Sequence, residues 1–143
     1  MGRLSKKSRT FALQSKMLCE FLTNGLIVKS QKNRFIFEGN IRPSPLGRSY
    51  KIRIDYKKSK RPIITIVNPK LKIPEGKKLP HVYPRKCDLC LYYPKNNEWT
   101  PEMPIYKTIL PWASEWLYHY EIWLITDEWC GGGIHHENQK SLH

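Results

Sequence analysis

The sequence predicts an α+β fold: an N-terminal helix, a four-stranded antiparallel meander, a long loop and a C-terminal helix. Three patterns support this fold class. Apolar residues recur at helical spacing near both ends of the chain, short β-branched and aromatic runs lie between them, and a proline-rich stretch precedes the last helix. A length of 143 residues suits one domain, and we expect a single domain over 1–143.

The first helix is predicted from apolar residues that recur every three or four positions and end at a turn signal. Its end is expected near Asn24-Gly25, because Asn and Gly commonly terminate helices. We expect the first ten residues, which are polar and basic, to be flexible. The apolar positions are Phe11, Leu13, Met17, Leu18, Phe21 and Leu22.

Four strands are predicted from short runs rich in β-branched and aromatic residues. The first two cover 26–28 and 34–37, with a turn near Lys32-Asn33, and a Pro- and Gly-containing connection at 42–47 leads to the third. The third strand has the alternation of a half-buried strand. Its apolar positions are Tyr50, Ile52, Ile54 and Tyr56. Pro62 opens the fourth strand, 63–67.

Residues 69–101 contain six prolines and one glycine and show little periodicity, so they are predicted to form one long loop. A loop of this length in a compact domain is usually functional. Apolar and aromatic residues then recur at helical steps from Ile109 to Leu124, with Pro111 in the first turn. Glycines 131–133 are a helix stop, and 130–143 is predicted to be a polar tail.

The net charge of +13 is unevenly distributed. Residues 1–95 hold 23 Lys and Arg against 5 Asp and Glu, whereas residues 96–143 hold 2 against 7. A basic body of this kind attracts acidic partners or nucleic acid, and it also keeps a protein soluble. Charge alone identifies no partner.

The cysteine content and the hydropathy pattern predict a cytoplasmic protein with reduced thiols. Four cysteines in a chain of this size do not make a disulfide scaffold. The basic N-terminus is not followed by the apolar stretch of a signal peptide, and no apolar run approaches the ~18 residues that span a membrane. We therefore expect no membrane association and a cysteine free to act as a nucleophile.

The order of elements and three short motifs resemble the ubiquitin-conjugating enzymes. The motifs are His81-Val82-Tyr83-Pro84, Leu89-Cys90-Leu91 and Glu98-Trp99-Thr100-Pro101. The resemblance covers residues 11–126 and implies the ubiquitin-conjugating fold, with 69–101 as the active-site loop. More narrowly, the chain resembles the stand-alone bacterial conjugating-type proteins that are encoded beside cGAS-like nucleotidyltransferases in short type II CBASS anti-phage operons.

The resemblance implies that Cys90 is the catalytic nucleophile, since thioester exchange needs a thiol that both attacks and leaves. His81 is the second catalytic candidate, as an oxyanion donor or a base for the incoming amine. The family's His-Pro-Asn motif is not intact here, because Val82 and Tyr83 follow His81. Supporting roles are expected for five residues of the loop. These are Tyr83, Asn97, Trp99, Thr100 and Pro101.

The resemblance also implies the partners. The acyl donor is expected to be the C-terminal tail of the cGAS-like nucleotidyltransferase, and the acceptor an amine of an unidentified lysine. Neither a cofactor nor a metal is expected. How the acyl group is activated, what replaces the oxyanion asparagine, and the oligomeric state do not follow from the sequence.

Two alternatives remain open at the level of sequence. Cys87 and Cys90 form a CxxC pair, which together with Cys130 and His135 or His136 supplies enough ligands for zinc, or forms a redox pair. Alternatively, the chain is a basic nucleic-acid-binding module. That function would use the paired cations at 57–58, 60–61, 77–78 and 85–86, although no nucleic-acid-binding motif accompanies them.

Overall fold

The computed structural model describes residues 6–76, 82–83, 88–89 and 99–129, with only the backbone described for 6–9, 82–83 and 88. The observed order of elements confirms the predicted α+β plan. The elements are α1 (Lys6–Phe21), β1 (Leu26–Gln31), β2 (Arg34–Ile41), β3 (Tyr50–Lys57), β4 (Ile63–Asn68), β5 (Val82–Tyr83), β6 (Asp88–Leu89), a 3₁₀ turn (Ile105–Lys107) and α2 (Ile109–Thr126).

The first four strands form one antiparallel sheet in the order β1-β2-β3-β4. Strands β2 and β3 pair without interruption, from Arg34 opposite Lys57 to Ile41 opposite Tyr50. The first hairpin turns at Lys32-Asn33, where the sequence predicted it. The segment 69–101, predicted to be one long loop, contains a second antiparallel sheet made of the two short strands β5 and β6.

One face of the large sheet is buried and the other faces solvent, because side chains alternate between the two faces of a strand. Along β3, Tyr50, Ile52, Ile54 and Tyr56 are at most 2% exposed, while Lys51, Arg53 and Lys57 are exposed. The alternation predicted for this strand is therefore confirmed.

The two helices complete the core on the buried side of the sheet. Leu18 of α1 and Ile109, Ala113 and Leu117 of α2 are fully buried in one cluster with the inward residues of the strands. Helix α2 ends at Thr126, and Asp127 adopts the left-handed conformation (φ 67°) that often follows a helix. The helix thus stops before the predicted glycine stop at 131–133, which lies outside the described residues.

The solvent face of the sheet carries ion pairs between neighbouring strands. The Arg34 guanidinium donates two hydrogen bonds to the Asp55 carboxylate, at 2.9 and 2.7 Å, and Arg53 Nε donates one to Glu38 at 2.7 Å. The hydrogen bond from Arg34 holds the pKa of Asp55 below its usual value, and the one from Arg53 does the same to the pKa of Glu38. The ionised form of each acid therefore stabilises the folded state.

This coupling predicts a loss of stability in acid. A carboxylate whose pKa is lowered by folding stabilises the protein above its unfolded pKa of about 4, and that contribution is lost as the pH falls through the folded value. We expect the free energy of unfolding to drop from pH 6 towards pH 3, and to drop less in Asp55→Asn. Urea unfolding at each pH measures the difference. The matched control is Glu20→Gln, an exposed acid on α1, and an equal change in both variants would contradict the assignment to Asp55.

Candidate active-site segment

The short β5–β6 hairpin is the described part of the loop that carries the predicted nucleophile. Val82 lies opposite Leu89, and Tyr83 opposite Asp88. Leu89 is 2% exposed and belongs to the main core, and β6 packs against β4 of the large sheet. The backbone directly before Cys90 is therefore attached to the body of the domain.

Several of the predicted site residues, including both catalytic candidates, lie outside the described part of the chain. These are Cys90, His81 and Asn97, together with Cys87 of the CxxC pair. Tyr83 is described only by its backbone, as a member of β5. The structure therefore places the residues beside His81 and Cys90 in one hairpin, and the roles of the two side chains stay predictions.

Trp99, near the end of the loop, is a core residue. It is 7% exposed, and its ring meets Tyr56 of β3 edge to face at a centroid distance of 5.6 Å. Its indole Nε1 donates to Thr108 Oγ1 at 3.1 Å, and Thr108 Oγ1 donates to the Pro104 carbonyl at 2.8 Å. Thr108 precedes α2, so this chain of hydrogen bonds ties the end of the loop to the start of the second helix.

Thr100 and Pro101 are half-buried and belong to a turn. The Met103 amide closes this turn by donating to the Thr100 carbonyl at 2.9 Å. The two residues lie between the buried Trp99 and the 3₁₀ turn, where their backbone is fixed by contacts on both sides.

Gln14 is a residue that the sequence analysis missed. Its side chain is fully buried, and its Nε2 donates to the carbonyls of Met103 at 2.8 Å and Pro101 at 3.3 Å. Its Oε1 accepts from the Ile105 amide at 2.8 Å. One side chain of α1 thus satisfies three backbone groups of the segment 101–105, which otherwise would be buried without partners.

A signal for Gln14 was present in the sequence. Positions 11, 14 and 18 lie on one face of a helix, and the other two residues are Phe11 and Leu18. A polar residue in the middle of an apolar helical face is expected to find hydrogen-bond partners once it is buried. What the sequence does not give is the position of those partners, some 90 residues away along the chain.

Cys19 has the opposite environment to an activated thiol. It is half-buried on α1, and burial raises the pKa of its thiol, which keeps it protonated at neutral pH. Cys19 is therefore a packing residue, and it provides an internal comparison for any reactive cysteine in the chain.

The aromatic face of α2 is core. Trp116, Tyr120 and Trp123 are at most 6% exposed, and the rings of Trp116 and Tyr120 stack at 5.6 Å. No helix in the described part of the chain is long and apolar enough to cross a bilayer. The same part contains no group of three or more metal-ligating side chains, but the CxxC pair and its candidate zinc partners lie outside it.

A helix, a four-stranded antiparallel meander, a cysteine loop anchored by a buried Trp and a second helix together define the ubiquitin-conjugating class of fold. A comparison with protein families agrees: the model of the type II CBASS E2 protein matches residues 14–137. The chain belongs to the type II CBASS E2 family, which gives it a conjugating-type role in CBASS defence. A comparison with curated proteins finds no match.

Proposed function

We propose that Cys90 accepts the C-terminal carboxyl group of a protein as a thioester and transfers it to an amine of a lysine. The observation that carries the proposal is the match of residues 14–137 to a family of conjugating-type proteins. In addition, Cys90 directly follows Leu89, which is buried in the core. The donor we propose is the C-terminal tail of the cGAS-like nucleotidyltransferase of the same CBASS system, and conjugation promotes its anti-phage signalling.

The chemistry follows from the properties of a thiolate. The sulfur attacks the carbonyl carbon of an activated acyl derivative, a carbon–sulfur bond forms, and the activating group leaves. A lysine amine then attacks the same carbon, an amide bond forms, and the Cys90 sulfur departs as a thiolate. Arg85 and Lys86 lie close to Cys90 in sequence, and cations beside a cysteine favour the thiolate form.

The hairpin supports a shared site for His81 and Cys90. Val82 pairs directly with Leu89. Val82 follows His81 in the chain, and Leu89 precedes Cys90. Paired Cα atoms in an antiparallel sheet are about 5 Å apart, so the chain neighbours of the two residues lie side by side.

We expect His81→Ala to slow acyl transfer by about 10²–10³-fold, the loss usual for one oxyanion donor or one general base. Binding of the partner is expected to stay within a factor of about two, because the histidine acts on the reacting atoms. Single-turnover rates at saturating partner measure the first quantity, and titration of the unreacted proteins measures the second. A variant that unfolds more easily but transfers at a normal rate would limit His81 to a structural role.

The test of the proposed donor is co-expression with the cGAS-like nucleotidyltransferase encoded beside this protein. We expect a covalent adduct that disappears when the last one or two residues of the nucleotidyltransferase are deleted, since the terminal carboxyl group is the one that the Cys90 sulfur must reach. Internal deletions of equal length, placed upstream in the same tail, are the control. An adduct that survives loss of the terminal residues would exclude the C-terminus as the donor.

A further inference from the structure

A recess lies at the end of the sheet where β3 begins. Its walls are the β2–β3 connection, the segment that follows β4, and the C-terminal half of α2. The recess has a volume of about 300 Å³, the lower end of the range for binding sites. Residues that line it include Leu46, Arg48, Pro69, Lys72, Leu124 and Ile125.

Hydrogen bonds hold the three walls together. Glu121 Oε2 on α2 accepts from the Tyr50 hydroxyl at 2.7 Å and from the Arg48 amide at 3.0 Å. The hydroxyl of Tyr120, also on α2, accepts from the Lys72 amide at 2.5 Å. A Cβ atom at Gly47 would lie 2.6 Å from Glu121 Oε1, so a larger residue here would displace the Glu121 carboxylate. The recess is therefore preformed.

The rim combines cations with exposed aliphatic side chains. Arg48, Lys70 and Lys72 are exposed and make no ion pair among the residues that the structure describes. Glu121 is the one acidic residue of the lining, and its Oε2 already accepts from the Tyr50 hydroxyl and the Arg48 amide. Leu46 is 99% exposed and Ile125 is 85% exposed, on opposite walls.

We infer that this recess docks a segment of a partner protein that carries both leucine-like and acidic side chains. The aliphatic rim and the apolar walls bury the former, and the three cations pair with the latter. The recess is concave and walled on three sides, which suits side chains of a peptide better than the flat surface of a bilayer. Docking here is non-covalent and does not depend on the thioester chemistry proposed for Cys90.

The probe is an acetylated and amidated hexapeptide of two leucines and four glutamates, titrated into the full-length protein with ¹³C-labelled methyl groups. We expect saturable shifts of the Leu46, Leu124 and Ile125 methyl signals at low salt, with a Kd below about 1 mM. Reversal of two rim charges in Lys70→Glu/Lys72→Glu should weaken binding by about tenfold or more.

The matched control is Lys57→Glu/Lys60→Glu, which makes the same change of charge at the opposite end of β3 and should leave the affinity within about twofold. Equal weakening in both double variants would reduce the effect to net charge and overturn the proposal. Absence of saturable shifts, equal binding of a peptide with lysines in place of the glutamates, or equal shifts at the exposed Leu13 and Leu26 would overturn it too.

Two other occupants are distinguished by separate titrations. Vesicles of mixed phosphatidylcholine and phosphatidylglycerol that broaden the Leu46 and Ile125 signals, with broadening lost in Ile125→Asp, would assign the rim to a membrane surface. A synthetic peptide of residues 131–143 that binds more tightly than the acidic hexapeptide would assign the recess to the chain's own tail. Either result would contradict docking of an acidic partner segment.

Discussion

Replacement of Cys90 by alanine should abolish the adduct with the nucleotidyltransferase, because no other group in the proposed mechanism can accept the acyl chain. Cys90→Ser should accumulate an oxyester instead, since an alkoxide is a poorer leaving group than a thiolate. Intact-protein mass spectrometry after co-expression shows whether the wild-type protein, Cys90→Ala and Cys90→Ser carry the adduct. Circular dichroism of the variants establishes that the fold is retained.

The matched controls are Cys87→Ala and Cys19→Ala. Cys19 is half-buried with a raised pKa, so its loss should leave adduct formation unchanged. Cys87 is the other member of the CxxC pair. Equal loss of activity in Cys87→Ala and Cys90→Ala, together with stoichiometric zinc, would show that the pair holds a metal, because a structural site uses its thiolates as ligands.

Replacement of Gln14 by leucine should lower the free energy of unfolding by about 2–6 kcal/mol. The leucine fits the volume but leaves the Ile105 amide and the Met103 carbonyl without their partner, and each unsatisfied buried group costs about 1–3 kcal/mol. Urea unfolding measures the change, read as a shift of the midpoint at constant slope.

Lys16→Leu is the control for this substitution, since Lys16 is exposed on the same helix. It should change the free energy of unfolding by no more than about 0.5 kcal/mol. Gln14→Glu separates the two kinds of hydrogen bond, because its carboxylate can still accept from the Ile105 amide but cannot donate to the carbonyls. A loss below about 0.5 kcal/mol in Gln14→Leu would show that the segment 101–105 is held by other contacts.

The fold could be predicted where a local pattern determines it. The alternation from Tyr50 to Tyr56 fixes which face of β3 is buried, and the turn at Lys32-Asn33 follows from residues that favour turns. Helix α2 could be predicted for the same reason, because residues such as Trp116 and Tyr120 recur at helical spacing, and both are buried.

The features that the sequence did not predict depend on contacts between distant segments. The β5–β6 hairpin has only two residues per strand, too few to show a period. Helix α2 ends at Thr126, and the residue that follows, Asp127, is left-handed although it is not glycine. The glycines further along the chain had suggested a later end. Gln14 shows the same limitation, since its partners lie on the far side of the loop.

The candidate site was predicted from sequence motifs more than from the fold. The motifs around His81, Cys90 and Trp99 gave the resemblance, and the family match over residues 14–137 confirms it. The structure adds the anchor of the segment, through Leu89 on one side of the loop and Trp99 with Gln14 on the other. The proposed nucleophile, Cys90, thus falls in sequence between two segments that are anchored in the core.

The most direct test of the central claim is the intact mass of this protein isolated with its nucleotidyltransferase, before and after treatment with excess thiol. We predict a species with the combined mass of the two chains less one water. Excess thiol should cleave it to the free form of this protein and a nucleotidyltransferase that carries the added thiol on its C-terminus, because thioesters exchange with thiols. Mapping by proteolysis should place the labile bond at Cys90. A combined mass that never forms, or a thiol-sensitive bond that persists in Cys90→Ala, would contradict the account.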